Sequence, residues 1–202
     1  MAFFADDGDS CQDDPSQGIS LTTGTIPYDY TCFNLSGIFS QSLDSGHQNA
    51  SDNLHGEGTL SSDGEGNGIS WWLHNQGSFD SNANYSGVWY EQVNLTGEIK
   101  AGEDARWAFY IYPLDDCEQI ALGADQDDLY KYPWFETSCQ TEKGGQCQTV
   151  PYSIRSFAIA NSQLYYEDLG PCDEWALLGE TTRRKVPVLL AALVTMTVVL
   201  FA

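Results

Sequence analysis

Between Gly68 and Pro113 the chain repeats one pattern. Short runs rich in aromatic and β-branched residues, GISWWLH, SGVWYEQV, LTGEIK and RWAFYIYP, are parted by Asn75-Gln76-Gly77, by Asn94 and by Ala101-Gly102-Glu103-Asp104. Turn residues recurring about every 8–12 positions mark antiparallel strands folded into a sandwich or barrel. Strand alternation then divides the side chains. In the last run Trp107, Phe109 and Ile111 share one face, and Arg106, Ala108, Tyr110 and Tyr112 share the other. One of these faces is expected to be core. The adjacent Trp71 and Trp72 must point to opposite sides of their strand. The expected fold is all-β, a single antiparallel β-sandwich of jelly-roll-like form with long loops.

The flanking sequence agrees in kind. ISLTTGTI and YTCFNLSGIF, between Gly18 and Phe39, have the same β-type composition, broken by glycines and Pro27. Residues 40–68 are poor in apolar side chains and read as a long surface connection, with one strand near Thr59-Leu60. Asp63, Glu65, Asn67 and Gly68 echo the opening of a calcium-binding loop, but His74 stands where the bidentate glutamate belongs, so a glycine-rich turn is the better reading. A short helix is expected near Cys117 to Leu122. QTVPYSIRSFAIA and QLYYEDL read as closing strands, with Pro151 at a strand start or edge. The organisation is an acidic amino-terminal arm over 1–17, a disulfide-bonded β-domain over 18–176, a polar stalk over 177–185 and a hydrophobic segment over 186–202.

Six cysteines, Cys11, Cys32, Cys117, Cys139, Cys147 and Cys172, include no C-x-x-C pair that would suggest a zinc or thioredoxin-type site. Three disulfides are expected. Because Lys143-Gly144-Gly145 offers a turn, Cys139 is expected to pair with Cys147. Four N-x-S/T sequons, at Asn34, Asn49, Asn84 and Asn94, point the same way, since nine asparagines and 31 serines and threonines in 202 residues would give one or two by chance. Disulfides and N-glycans are both added in an oxidising secretory lumen. A secretory leader needs an apolar stretch of about 7–15 residues, and only Ala2 to Ala5 precede Asp6, so a native leader is expected upstream of Met1.

Val186 to Ala202 carry no charge and follow Arg183-Arg184-Lys185 directly. As a helix these seventeen residues would be roughly 25 Å long, short of the ~30 Å hydrocarbon core. A removable anchor signal, with its tail of about 10–20 apolar residues, fits better. Glycosylphosphatidylinositol attachment is therefore expected at Gly179, in Gly179-Glu180-Thr181, with a retained transmembrane helix as the alternative. Both forms are expected to leave the domain on the cell surface, joined to the membrane.

All 29 acidic residues precede Arg183, with only five of the eight basic ones, so residues 1–182 carry a formal charge of −24. That field repels phosphate and excludes nucleic acid as a partner. The strand-rich middle suggests a cell-wall glycan instead, because a planar ring on a sheet face offers a flat apolar platform to a sugar. Trp72, Trp89 and Tyr85 are the candidate ligand-binding residues, against the alternative that they fill the core. Calcium is the one cofactor suggested, at Asp125, Asp127 and Asp128.

No catalytic motif stands out: G-x-S-x-G is absent, and His47, His55 and His74 lie in or near the glycine-rich region. Glu91 and Glu98 are the pair to test for glycoside hydrolysis, although 29 acids give many pairs at a working distance. The expected function is that of a surface-anchored glycoprotein with a non-catalytic domain, active in adhesion or carbohydrate contact. The alternatives are a secreted polysaccharide-acting hydrolase and a purely structural acidic coat protein. Peptide mapping of the protein from its native cells, with and without phosphatidylinositol-specific phospholipase, tests the anchor. The expected chain ends near Gly179 on a lipid-linked glycan and carries sugar at Asn34 or Asn94. Retention of residues 186–202 with bare asparagines would place the domain in the cytosol.

Overall fold

In the computed structural model the described residues are 1–5, 14–25, 29–50, 68–92, 100–119, 134–161, 172 and 174–177. They form the strands β1 (Ala2–Ala5), β2 (Ile19–Thr22), β3 (Thr31–Asn34), β4 (Ser45–Asn49), β5 (Gly68–His74), β6 (Tyr85–Tyr90), β7 (Asp104–Tyr112), β8 (Trp134–Cys139), β9 (Gln146–Thr149), β10 (Ser156–Asn161) and β11 (Glu174–Leu177). A short helix, α1 (Leu35–Phe39), follows β3, and 3₁₀ turns occur at Pro15–Gln17, Gln76–Ser78 and Asp115–Cys117. One sheet runs β4-β5-β2-β1-β6-β9 and the other β11-β8-β7-β10-β3, with every pairing antiparallel. The two sheets pack face to face as an all-β sandwich, as the strand spacing predicts.

Alternation builds the core. Phe3, Leu21, Trp71 and Val88 from the six-stranded sheet join Phe109, Ile111, Phe135 and Phe157 from the five-stranded one in a single buried cluster. Phe157 is its hub: it lies 5.0 Å from Phe3 across the sandwich and stacks on Phe33 at 4.9 Å. Each such buried ring contributes on the order of 2–3 kcal/mol. α1 adds Leu35, Ile38 and Phe39, spaced so that all three fall on one helical face and all three are buried.

The sequence suggests one core face for β7; the structure buries both. Ala108, Tyr110 and Tyr112 join Tyr30, Trp134, Ala158 and Ala160 in a second cluster. Tyr110 and Tyr112 lie parallel at 6.3 Å, and the Tyr30 hydroxyl donates to the Tyr112 hydroxyl at 2.9 Å. Burial, reinforced by Tyr30, holds the Tyr112 phenol well above its ordinary pKa. The Cys32–Cys117 disulfide ties β3 to the Asp115–Cys117 turn beside this cluster.

Several segments differ from what their composition suggests. Ala2–Ala5, read as part of a loose arm, is an interior strand between β2 and β6, with Phe3 and Phe4 both buried. Four apolar residues ahead of an acidic run carry too little periodicity to announce a strand. YTCFNLSGIF is β3 followed by α1, because the sequence turns from period 2 to the i, i+3, i+4 spacing at Leu35. Ser45–Asn49 is an exposed edge strand held by its ladder to β5, so its polar sequence hides it. QTVPYSIRSFAIA breaks around Pro151, β9 and β10 falling in different sheets, and β8 is a strand that the sequence reading did not assign. Of the short helix expected near Cys117 to Leu122, residues 120–122 lie outside the described residues, and Cys117 closes a 3₁₀ turn that starts at Asp115. The last described strand, β11, ends at Leu177.

Cys139 pairs with Cys172, not with Cys147. The turn at Lys143-Gly144-Gly145 is real, but it carries the chain from β8 in one sheet to β9 in the other, so the two cysteines stand on different sheets. Cys147 is disulfide-bonded as well, and Cys11 lies outside the described residues. Among the described residues no helix is long and apolar enough to cross a membrane, and residues 186–202 lie outside them.

β1 is fastened to β2 at its start as well, where the Met1 nitrogen donates to the Leu21 carbonyl at 3.0 Å.

Candidate functional site

The six-stranded sheet turns its other face outward. Along β5, Ser70, Trp72 and His74 alternate with the buried Ile69, Trp71 and Leu73. Register places Ser45 of β4 and Thr22 of β2 on either side of Trp72, Ser20 beside His74 and His47 beside Ser70. His47 Nδ1 and Ser70 Oγ share a hydrogen bond of 3.2 Å. These neighbours are too small to cover the indole, and Trp72 is 50% exposed. Leu43, two residues before Ser45, is 62% exposed; among the described residues these are the two large apolar side chains left open.

The other candidate rings are engaged within the fold. Tyr85 is buried, stacks on Phe79 at 5.6 Å and accepts from the Asp80 N–H at 3.0 Å. Its burial raises the phenol pKa. Trp89 is half-buried, and its Nε1 donates to the Gly144 carbonyl at 3.1 Å. The turn passes so close that a side chain at Gly145 would collide with the indole, and Gly144 and Gly145 have φ of 103° and 79°, which other residues rarely adopt. The Glu91 carboxylate accepts from the Gly144 N–H at 3.1 Å, so it fastens this same turn. Trp72 is thus the candidate ring that stands open. Tyr85 packs inward, whereas register places Trp89 on the same outward face, beyond Ser20 and Ala2 from His74.

Around the β4 edge, facing α1, lies an open cleft of about 520 Å³. Asn34, Gln41, His47, Gln48, Trp71 and Asp116 line it, with Ile38 as part of its apolar wall. Asn34 and Asp116 close one side with two hydrogen bonds. Asn34 Nδ2 donates to Asp116 Oδ1 at 2.7 Å, and the Asp116 N–H donates to Asn34 Oδ1 at 2.6 Å. The pair holds Asp116 in a left-handed conformation, φ 57°, next to the disulfide at Cys117. Gln48 points inward because its strand partner is the buried Ile69, and Trp71 reaches the cleft from beneath Gly46. Sequence reasoning missed the cleft. Its walls come from a polar edge strand, a five-residue helix and a turn far apart in the chain, and none of these carries a motif.

Of the described sequons, Asn49 and Asn84 are exposed and Asn34 is half-buried. A glycan on Asn34 would occupy the nitrogen that Asp116 holds. Asn94, Glu98, Asp125, Asp127, Asp128 and Gly179 lie outside the described residues, as do the calcium-loop echo over 63–67 and the run QLYYEDL. Among the described residues no group of three or more His, Cys, Asp or Glu is placed to hold a metal ion. No family model matches the chain, and no curated protein or solved structure is significantly similar to it.

The Asn34 pair has a measurable consequence. Asn34→Ala strips the Asp116 N–H and carboxylate of their partner and should cost about 0.5–1.5 kcal/mol in urea unfolding, the net value of a hydrogen bond that water can partly replace. An unchanged midpoint would mean that water replaces the asparagine without loss.

Proposed function

We propose that the chain is a non-catalytic β-sandwich module of a cell-surface glycoprotein, and that it contacts glycan through Trp72. The observation that carries this reading is the half-exposed indole on the outer sheet face, set between Thr22 and Ser45. An exposed tryptophan forgoes the stabilisation that burial gives Trp71 next to it in the chain. Its ring offers an apolar platform to the C–H face of a sugar, while the flanking hydroxyls and His74 offer hydrogen bonds to the sugar's rim. The chain's net charge of −21 disfavours acidic polymers, so a neutral glycan fits best.

Support for the location comes from the disulfides Cys32–Cys117 and Cys139–Cys172 and from the exposed sequons at Asn49 and Asn84. Membrane attachment through Gly179 or the segment 186–202 is part of the same proposal. Binding is favoured over hydrolysis because Glu91 holds the Gly144 turn rather than facing the Trp72 platform.

Titration with neutral oligosaccharides from glucan, chitin and mannan tests the reading by tryptophan fluorescence. Trp72→Ala should weaken the response about tenfold or more at an unchanged thermal midpoint. Silence across the whole panel would sink the glycan reading and favour the coat protein, whose acidity and sugars are themselves its function.

A further inference from the structure

From the cleft between β4 and α1 we infer a second binding site, one that takes a short, neutral, hydroxyl-rich ligand such as a mono- or disaccharide. Two independent observations meet there. The first is the cavity itself, whose volume of about 520 Å³ lies within the roughly 300–1,000 Å³ range of small-molecule sites. The second is Trp71, only 4% exposed, whose indole Nε1 is buried and meets no acceptor among the described residues. Buried donors are nearly always paired, so an orphan at the wall of a cavity marks where an acceptor atom belongs.

The lining selects the class of ligand. It offers the amides of Asn34, Gln41 and Gln48, the His47 imidazole and the Asp116 carboxylate, with no lysine or arginine among its described lining residues. A phosphate or carboxylate ligand would face Asp116 and a net charge of −21 with no lysine or arginine among those residues to offset them. A purely apolar ligand would strip water from the amides and return nothing. A hydroxyl both donates and accepts, so a sugar's rim can match side-chain amides that do the same. Ile38 and Phe33 give its C–H face an apolar wall.

The walls also explain the access. Gly46 lies against the Trp71 indole, and a side chain there would fill the space that the ring's Cε2–Cζ2 edge occupies. The Nε1 bonded to that edge is screened from solvent, so a ligand oxygen must displace part of the wall to reach it. Gln48, inward-facing and half-buried, is the side chain placed to swing and to bond the ligand in turn. The ligand's class rests on the glycan-contact reading above; the pocket and its orphan donor do not. Trp72 faces outward and Trp71 inward, so the two sites are separable by mutation.

The test is ¹⁵N-detected titration of the indole N–H resonances in the full chain. The probes are glucose, mannose, galactose and N-acetylglucosamine and their disaccharides. Trp71→Phe and Trp72→Phe assign the two signals. The expected result is a saturable shift of the Trp71 signal with at least one saccharide. Gln48→Ala should weaken that binding about three- to tenfold, and Trp72→Ala should leave it unchanged. Shifts confined to Trp72 would overturn the cleft site and keep the platform; shifts at Trp71 alone would keep the cleft and overturn the platform. Silence at both would overturn both. A Trp71 response to inorganic phosphate but to no sugar would overturn the ligand class.

Discussion

Phe157 meets Phe3 across the sandwich, and most of the architecture serves to keep that contact dry. One ring comes from β10 and the other from β1, so both strands must lie inside their sheets rather than at the edges. β1 manages this with four residues, flanked by β2 and β6. α1 then closes the open end, its Phe39 meeting Phe3 edge-on at 6.1 Å. The five-stranded sheet goes further and buries its outer face under Tyr30, Tyr110, Tyr112 and Trp134.

Much of the fold is legible in the sequence wherever a strand is both apolar and alternating. β5, β6 and β7 satisfy both conditions and were expected at nearly their observed bounds. The unreadable strands each fail one condition. β4 is polar throughout because an edge strand can be held by backbone hydrogen bonds alone, and β1 is too short to show a period. The disulfide pairing failed for another reason. Sequence proximity favours Cys147 for Cys139, but strand-to-sheet assignment decides distance, and that assignment is a property of the whole topology.

The candidate site divides in the same way. Trp72 was readable because two adjacent tryptophans in a strand cannot both face one core. Tyr85 and Trp89 looked equivalent to it by composition, and only the third dimension separates a ring packed on Phe79, or pinned by Gly144, from one left open. The cleft was beyond sequence reasoning altogether. Gln48, Trp71 and Asp116 are distant in the chain, unremarkable singly, and meaningful only once an indole N–H is seen to meet no acceptor among the described residues.

The Cys139–Cys172 bridge has a mechanical meaning. Among the described strands β11 is the outermost of the five-stranded sheet and pairs with β8 alone, and such a strand peels away one hydrogen-bonded pair at a time when its end is pulled. A tension applied to the chain beyond Leu177 would strip β11 and then arrive at Cys172, where the covalent link passes the load straight to the end of β8. The 33 residues spanned by the bridge stay out of the force path, withholding about 110 Å of extension that a reduced chain would release. The domain therefore behaves under load as a short tether with a hard stop.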